Sequence, residues 1–327
     1  MKFLLASLTA LSILLTTLVH LCYVIAWIVG RMLHTPVRYA VFGKATLALL
    51  AFVLIVFLLG YYVGRWHCKT NEIELTFSDL PTEFNDYKIV HISDLHLSAF
   101  EGHDKELQKT IDRINALEPD IICFTGDLIG ISGNEVEHFI PILSQLKAKH
   151  GIYSILGNHD YVPYGMRSPE QRQQELLQVM TSESELLGWH LLNDEHLTLH
   201  QGNDSITIAG IQYLKSERER LSPISHGDID KALDGVRGFT ILLAHNPANW
   251  DEHIKGKRPV QLTLSGHTHA AQIRIFGWTP ASLFFESTAG LYTHQGQYLY
   301  VNTGIGCTAP IRIGVPQEIT LIKLKKL

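Results

Sequence analysis

The chain has 327 residues, 46% of them hydrophobic, and a formal net charge of -5 with no extended basic run. That balance excludes a dedicated nucleic-acid surface, which needs a basic stripe or patch. The four cysteines, Cys22, Cys68, Cys123 and Cys307, form no CxxC pair and no disulfide-scaffold spacing, and they read as core or membrane-segment thiols.

The first feature in chain order is an almost uncharged apolar run over 3–30, longer than the roughly 20 residues that cross a bilayer. A second run covers 45–64, after a short segment carrying Arg31, Arg38 and Lys44. Together they predict two membrane helices joined by a tight basic turn, an anchor occupying residues 1–68. The alternative for the first run is a cleaved secretion signal. The run is long for one, and no small-residue cleavage site closes it. Tyr61, Tyr62 and Trp66 suit an interfacial aromatic belt. Lys2, Arg65 and Lys69 balance the basic turn, so charge does not choose the face that carries the remaining chain.

Residues 69–327 read as one globular domain. Apolar runs at 87–92, 120–125, 152–156, 205–211, 239–244, 260–264, 298–302 and 318–324 predict strands, and helical patterns fall at 103–117, 134–149, 169–187 and 228–235. The first half alternates strand and helix and the second is mostly strand, which predicts an α/β domain of mixed sheets sandwiched by helices. Segment 169–187 is either an amphipathic cap over the strand ends or an ordinary packed surface helix.

Candidate chemistry collects at the predicted strand ends. Of eighteen histidines, six (His91, His96, His159, His245, His267 and His269) lie at or beside the ends of apolar runs. "YKIVHIS" leads into Asp94 and His96, two residues apart and so on one side of an extended chain. "DIICFT" leads into Gly126 and Asp127, "IYSIL" into Asn158, His159 and Asp160, "FTILLA" into His245, and the last run into His267 and His269. Ligands of open α/β sheets gather at the carboxyl ends of strands. One ion takes three or four protein ligands. Seven candidates (Asp94, His96, Asp127, Asn158, His245, His267 and His269) suit two ions sharing a carboxylate. Nitrogen and oxygen donors without thiolate favour Mn, Fe or Zn over Ca or Mg. His91, inside its strand, reads as a core histidine.

In order, "DLH … GD … GNHD … H … GHTH" resembles the five signature blocks of the calcineurin-like metallophosphoesterase family, from about residue 87 to the C-terminus. The closing "NTGIGCTAPIRIGVPQEITLI" and the two-span anchor resemble its bacterial membrane-associated branch. The resemblance implies a four-layer αββα sandwich and two divalent metal ions. It places Asp94, His96 and His269 on the first ion, Asp127 as the bridge, and Asn158, His245 and His267 on the second. His159 matches the histidine that protonates the leaving oxygen or stabilises charge on phosphorus, with Asp160 orienting it. Relatives in this branch read GHTHGGQ; Ala270 and Ala271 replace the two glycines here, which keeps the ligands but alters the turn or the pocket. Arg312 is either a phosphate contact or a surface arginine.

The implied function is hydrolysis of a phosphodiester or pyrophosphate bond. A lipid-linked substrate such as UDP-2,3-diacylglucosamine suits the anchor. The alternatives are a broad-specificity envelope phosphomonoesterase or phosphodiesterase, and a non-catalytic membrane-tethered binding module. The expected location is the bacterial inner membrane, as a multi-pass protein. The expected partners are the bilayer and a phosphorylated substrate, without nucleic acid.

Overall fold

The computed structural model describes residues 2–162, 167–219 and 222–327, and the chain forms two compact units. One comprises residues up to 65 together with 309–313; the other comprises 66–308 and 314–327.

In the first unit, helices α1 (Lys2–Met32) and α2 (Tyr39–Tyr62) are long and apolar enough to cross a membrane. α2 starts at Tyr39, six residues before the apolar run expected at 45. The Tyr23 ring meets Tyr39 and Phe42 edge-on, and His20 Nε2 lies 2.6 Å from the Tyr39 hydroxyl, which pins the two helices together. Most of their large apolar side chains are exposed, an arrangement suited to lipid and costly in water. Residues 309–313 lie against the end of α2. The Arg312 N–H donates to the Gly60 carbonyl at 3.2 Å, and a Cβ on Gly64 would stand 2.1 Å from the Arg312 carbonyl oxygen.

Among its described residues, the second unit holds twelve strands: β1 (Cys68–Phe77), β2 (Lys88–Ile92), β3 (Ile121–Phe124), β4 (Ile152–Ser154), β5 (His190–Leu191), β6 (Glu195–Gln201), β7 (Asp204–Gly210), β8 (Thr240–Leu243), β9 (Leu262–Ser265), β10 (Gly290–His294), β11 (Gln297–Val301) and β12 (Gln317–Lys326). They form two six-stranded sheets, ordered β1-β12-β2-β3-β4-β5 and β10-β11-β9-β8-β7-β6. β2 to β5 run parallel in the first sheet, as do β7, β8, β9 and β11 in the second. Both sheets are mixed, because β12 is antiparallel to β2, β6 to β7 and β10 to β11.

Successive strand residues face opposite ways, so a continuous apolar run is buried on both faces. Ile89, Ile121 and Cys123 of the first sheet meet Ile208, Ile241 and Leu264 of the second. Val90, Ile122 and Phe124 face outward onto α3 (Asp104–Ala116) and α4 (Glu135–Leu143). On the far side, Ala209 and Leu242 pack with Trp250 and the short α6 (Ile229–Ala232). The result is the α/β sandwich of two mixed sheets that the sequence implied.

All eight predicted strands are present, and four more are added. β1 and β6 carry polar residues in alternation and stand at sheet edges; β5 is two residues long. α4 stops at Leu143 rather than 149 and contains Pro141, whose missing N–H leaves one bond out of its ladder. Segment 169–187 is a packed helix, α5 (Pro169–Thr181), continued by one wider turn to Leu186. It begins at a capping box between Ser168 and Gln171. Its Val179 is buried in the core, and its Glu175 carboxylate accepts from Ser132 Oγ at 2.8 Å and the Gly133 N–H at 2.9 Å.

His91 is fully buried, with Nε2 at 2.9 Å from Thr125 Oγ1. Burial pushes its pKa down to about 4. The unfolded chain therefore binds a proton more readily than the folded one. Stability from this group is complete above about pH 6.5 and declines as pH falls toward 4, by on the order of 3 kcal/mol. Unfolding measured across that window should show a weaker pH dependence in His91→Gln than in the wild type.

Candidate metal centre

The turns after β2, β3 and β9 are sharply bent. Asp94, His96, Asp127, His267 and His269 all have positive φ, between 40° and 70°. This left-handed region costs a residue with a Cβ about 1 kcal/mol or more. Asp94 and His96 do share a point, but through these bends rather than through an extended i, i+2 pair. Backbone bonds hold the bends: the Asp94 N–H donates to the Gly126 carbonyl at 2.9 Å, and the His96 N–H to that of Asp127 at 3.1 Å. Gly266 lets β9 close in, since a Cβ there would stand 1.9 Å from Ser93 Oγ.

Two sets of donor atoms result. In the first, Asp94 Oδ1 lies 3.2 Å from His269 Nε2 and 3.7 Å from His96 Nε2, and those two nitrogens are 3.0 Å apart. In the second, His267 Nδ1 lies 2.8 Å from Asn158 Oδ1 and 3.2 Å from His245 Nε2. Asp127 Oδ2 joins them, 3.3 Å from His245 Nε2 and 3.6 Å from His96 Nε2. The outward ring nitrogens face acceptors: His96 Nδ1 the Ile129 carbonyl, His245 Nδ1 the Thr125 carbonyl and His267 Nε2 the Glu219 carboxylate. Those acceptors place the ring protons outside and turn the lone pairs inward.

Inward lone pairs facing carboxylate and amide oxygens repel unless a positive charge stands between them. Asp94 Oδ1 is buried and receives no well-formed hydrogen bond. Burial opposes ionisation of Asp94 and Asp127, yet the surrounding histidines, chiefly His269 and His245 respectively, hold both carboxyls below their usual range. Burial likewise opposes protonation of His245, yet Asp127 and Asp94 push its pKa up to about 10. A cavity that attracts protons this strongly offers the same field to a metal cation. Asp94, His96 and His269, and likewise Asp94, Asp127 and His245, are grouped closely enough to hold one.

His159 sits beside this cluster with its ring 4.6 Å from that of His96. Its N–H donates to Asp127 Oδ1 at 2.8 Å, and its Nδ1 is 2.7 Å from the Gly130 carbonyl. Asp160 does not supply that contact, which corrects the expected role. Its carboxylate instead accepts the backbone N–H groups of Asp127, Gly157, Leu128 and Ile129 at 2.8 to 3.2 Å. It therefore shapes the loop that presents both Asp127 and the Gly130 carbonyl. Burial, with Asp127 nearby, pushes the Asp160 pKa up to about 7. His96, Ser98, Gly130, Ile131, His159, Cys307 and Thr308 line an adjacent cavity of about 430 Å³.

Arg312 belongs to the other unit, in the segment against α2, where it is buried. Glu219 is the contact that sequence reasoning missed. It lies in a charged "SERER" run that resembles any solvated loop.

The calcineurin-like phosphoesterase family model matches residues 87–271, which include every one of the seven candidate ligands. The chain belongs to the calcineurin-like phosphoesterase family. It is 33% identical to an uncharacterized metallophosphoesterase of Bacillus subtilis, over 81% of this chain and 89% of that one. It is 33% identical to a transmembrane protein with a metallophosphoesterase domain from Danio rerio, over 79% of this chain and 57% of that protein's length. It is 29% identical to the UDP-2,3-diacylglucosamine pyrophosphatase of Chlamydia muridarum, over 86% and 98%. As a calcineurin-like phosphoesterase, the chain is a hydrolase.

Ala270 and Ala271 of this calcineurin-like phosphoesterase take φ of 48° and 50°. Glycine adopts such angles without a Cβ penalty. Ala271 is exposed and its replacement removes no packing. Thermal unfolding of Ala271→Gly should therefore show a gain of up to about 1 kcal/mol.

Proposed function

We propose that this chain is a membrane-anchored phosphoesterase that uses two divalent ions (Mn, Fe or Zn) to hydrolyse a phosphodiester or pyrophosphate bond of a lipid-linked substrate. The observation that carries the reading is the pair of inward-facing donor sets joined at Asp127 Oδ2. Asp94, His96 and His269 would hold one ion and Asn158, His245 and His267 the other, with Asp127 shared. When bound, such ions polarise the phosphoryl oxygens and lower the pKa of water.

The residues of the chain do the rest. His159 Nδ1 is committed to the Gly130 carbonyl, and its Nε2 would give a proton to the leaving oxygen or stabilise charge on phosphorus. Asp160 keeps the supporting loop in place.

Two observations support a lipid-linked substrate. The two apolar helices would hold the domain at a bilayer. Directly after the His269–Gln272 turn, Ile275, Phe276, Trp278, Leu283 and Phe284 expose large apolar side chains. The Ile275 and Trp278 backbones bond to each other in both directions, so those backbone groups do not depend on water. The Chlamydia relative acts, by its name, on UDP-2,3-diacylglucosamine, which makes that nucleotide-linked lipid the substrate to try first.

The test uses the full chain in detergent micelles, stripped of metal and reloaded with Mn, Fe or Zn. Turnover of bis(p-nitrophenyl) phosphate should require metal and vanish in Asp127→Asn. His159→Ala should keep its metal and lose about a hundredfold to ten-thousandfold in turnover. A non-catalytic binding module would be indifferent to that change. UDP-2,3-diacylglucosamine should be turned over faster than the soluble diester; equal or slower turnover would favour a broad-specificity envelope enzyme. Phe276→Asp should slow the lipid substrate and leave the soluble diester unaffected, as read by parallel assays of the two.

A further inference from the structure

The second donor set is short of negative charge. Asn158, His245 and His267 are neutral as ligands, and the carboxylate that joins them, Asp127, is shared with His96. The first set has Asp94 in addition.

Glu219 stands behind the second set. Its Oε1 is 3.1 Å from His267 Nε2, on the opposite side of the ring from the Nδ1 that faces Asn158 and His245. The carboxylate is fixed from three other directions. The Tyr213 hydroxyl donates to Oε1 at 3.0 Å, and the Ser216 N–H and Asn246 Nδ2 donate to Oε2 at 3.0 Å and 2.5 Å. Tyr213 is buried and its ring lies 5.7 Å from that of His267, so the same residue that orients the carboxylate also packs against the imidazole. A carboxylate behind a ligating imidazole fixes the tautomer and ring orientation and makes the inward nitrogen a stronger donor.

We propose that Glu219 is a positioning residue for the second ion, supplying through His267 the negative charge that the second donor set lacks. This rests on the two-ion reading above. The second ion then depends on Glu219, whereas the first, held by Asp94, His96 and His269, does not. A carboxylate serving only to tie its own loop would leave both ions alike.

The experiment titrates Mn²⁺ into the metal-stripped full chain, counts bound ions by elemental analysis and records the electron paramagnetic resonance spectrum. The wild type should bind two ions and show the spectrum of a magnetically coupled pair. Glu219→Gln keeps the size and an acceptor oxygen but removes the charge. It should bind the first ion as the wild type does and the second about tenfold to a hundredfold more weakly, so that at limiting Mn²⁺ its spectrum is that of an isolated ion. Glu219→Asp, which restores the charge, should recover part of the second-ion affinity. Two ions held with unchanged affinity in Glu219→Gln would overturn the proposal and leave the two-ion reading standing. Equal weakening of both ions would also overturn it, as the mark of general damage to the loop. Fewer than two ions in the wild type would overturn the two-ion reading and this inference with it.

Discussion

Lone pairs of several histidines and the oxygens of Asp94, Asp127 and Asn158 are aimed at one another inside a protein, and that arrangement is repulsive until positive charge enters it. The features around the centre hold the donors in place against the repulsion. Left-handed backbone at five of the seven candidates turns the side chains inward. The carbonyls of Thr125 and Ile129 take the outward ring nitrogens of His245 and His96. Asp160 gathers four backbone N–H groups, so that the loop carrying Asp127 cannot relax outward. Strain of this kind persists only where the surroundings over-determine it, and here hydrogen bonds do so from several sides.

Neither sheet holds a complete donor set. The first set draws Asp94 and His96 from the end of β2 and His269 from the end of β9; the second draws Asn158 from the end of β4 and His245 and His267 from β8 and β9. The geometry of the centre is therefore set by how the two sheets pack, through Ile121, Ile241, Leu264 and their neighbours. A buried polar network fixes the same relation near the site. The Tyr300 hydroxyl of β11 donates to Glu318 of β12 at 2.5 Å, and Asn302 Nδ2 donates to the His91 carbonyl at 3.2 Å. Cavities or shifts in the inter-sheet core would be felt as changes in donor spacing at the centre.

What was legible in the sequence follows from which constraints are local. Strands buried on both faces appear as unbroken apolar runs, so β2, β3, β8 and β9 stood out, along with the Asp and His residues at their ends. Edge strands such as β1 and β6 alternate polar and apolar residues and resemble loops. The bends at Asp94 and Asp127 leave no trace in composition, since these residues take left-handed φ only because neighbouring strands force it. The task of Asp160 was misread because adjacency to His159 suggested a direct contact, whereas three of its four backbone partners lie about thirty residues away, at Asp127, Leu128 and Ile129. Glu219 approaches His267 from 48 residues away, and nothing local to either residue announces it.

The placement of β12 bears on how the chain comes to be folded. This strand lies between β1, to which it is parallel, and β2, to which it is antiparallel, yet it is the last of the twelve to be made. β1 and β2 cannot pair with each other across the gap, so the first sheet has a vacant place in it until residues 317–326 arrive. Contacts between segments so distant in sequence are slow to form. The loop at Asp94 is completed at the same late stage, because Gly306 and Ile305, just before β12, bond to the carbonyls of Asp94 and Ser93. During synthesis the apolar helices emerge long before this closure, and the turn that carries Asp94 is completed only once the residues before β12 have been made.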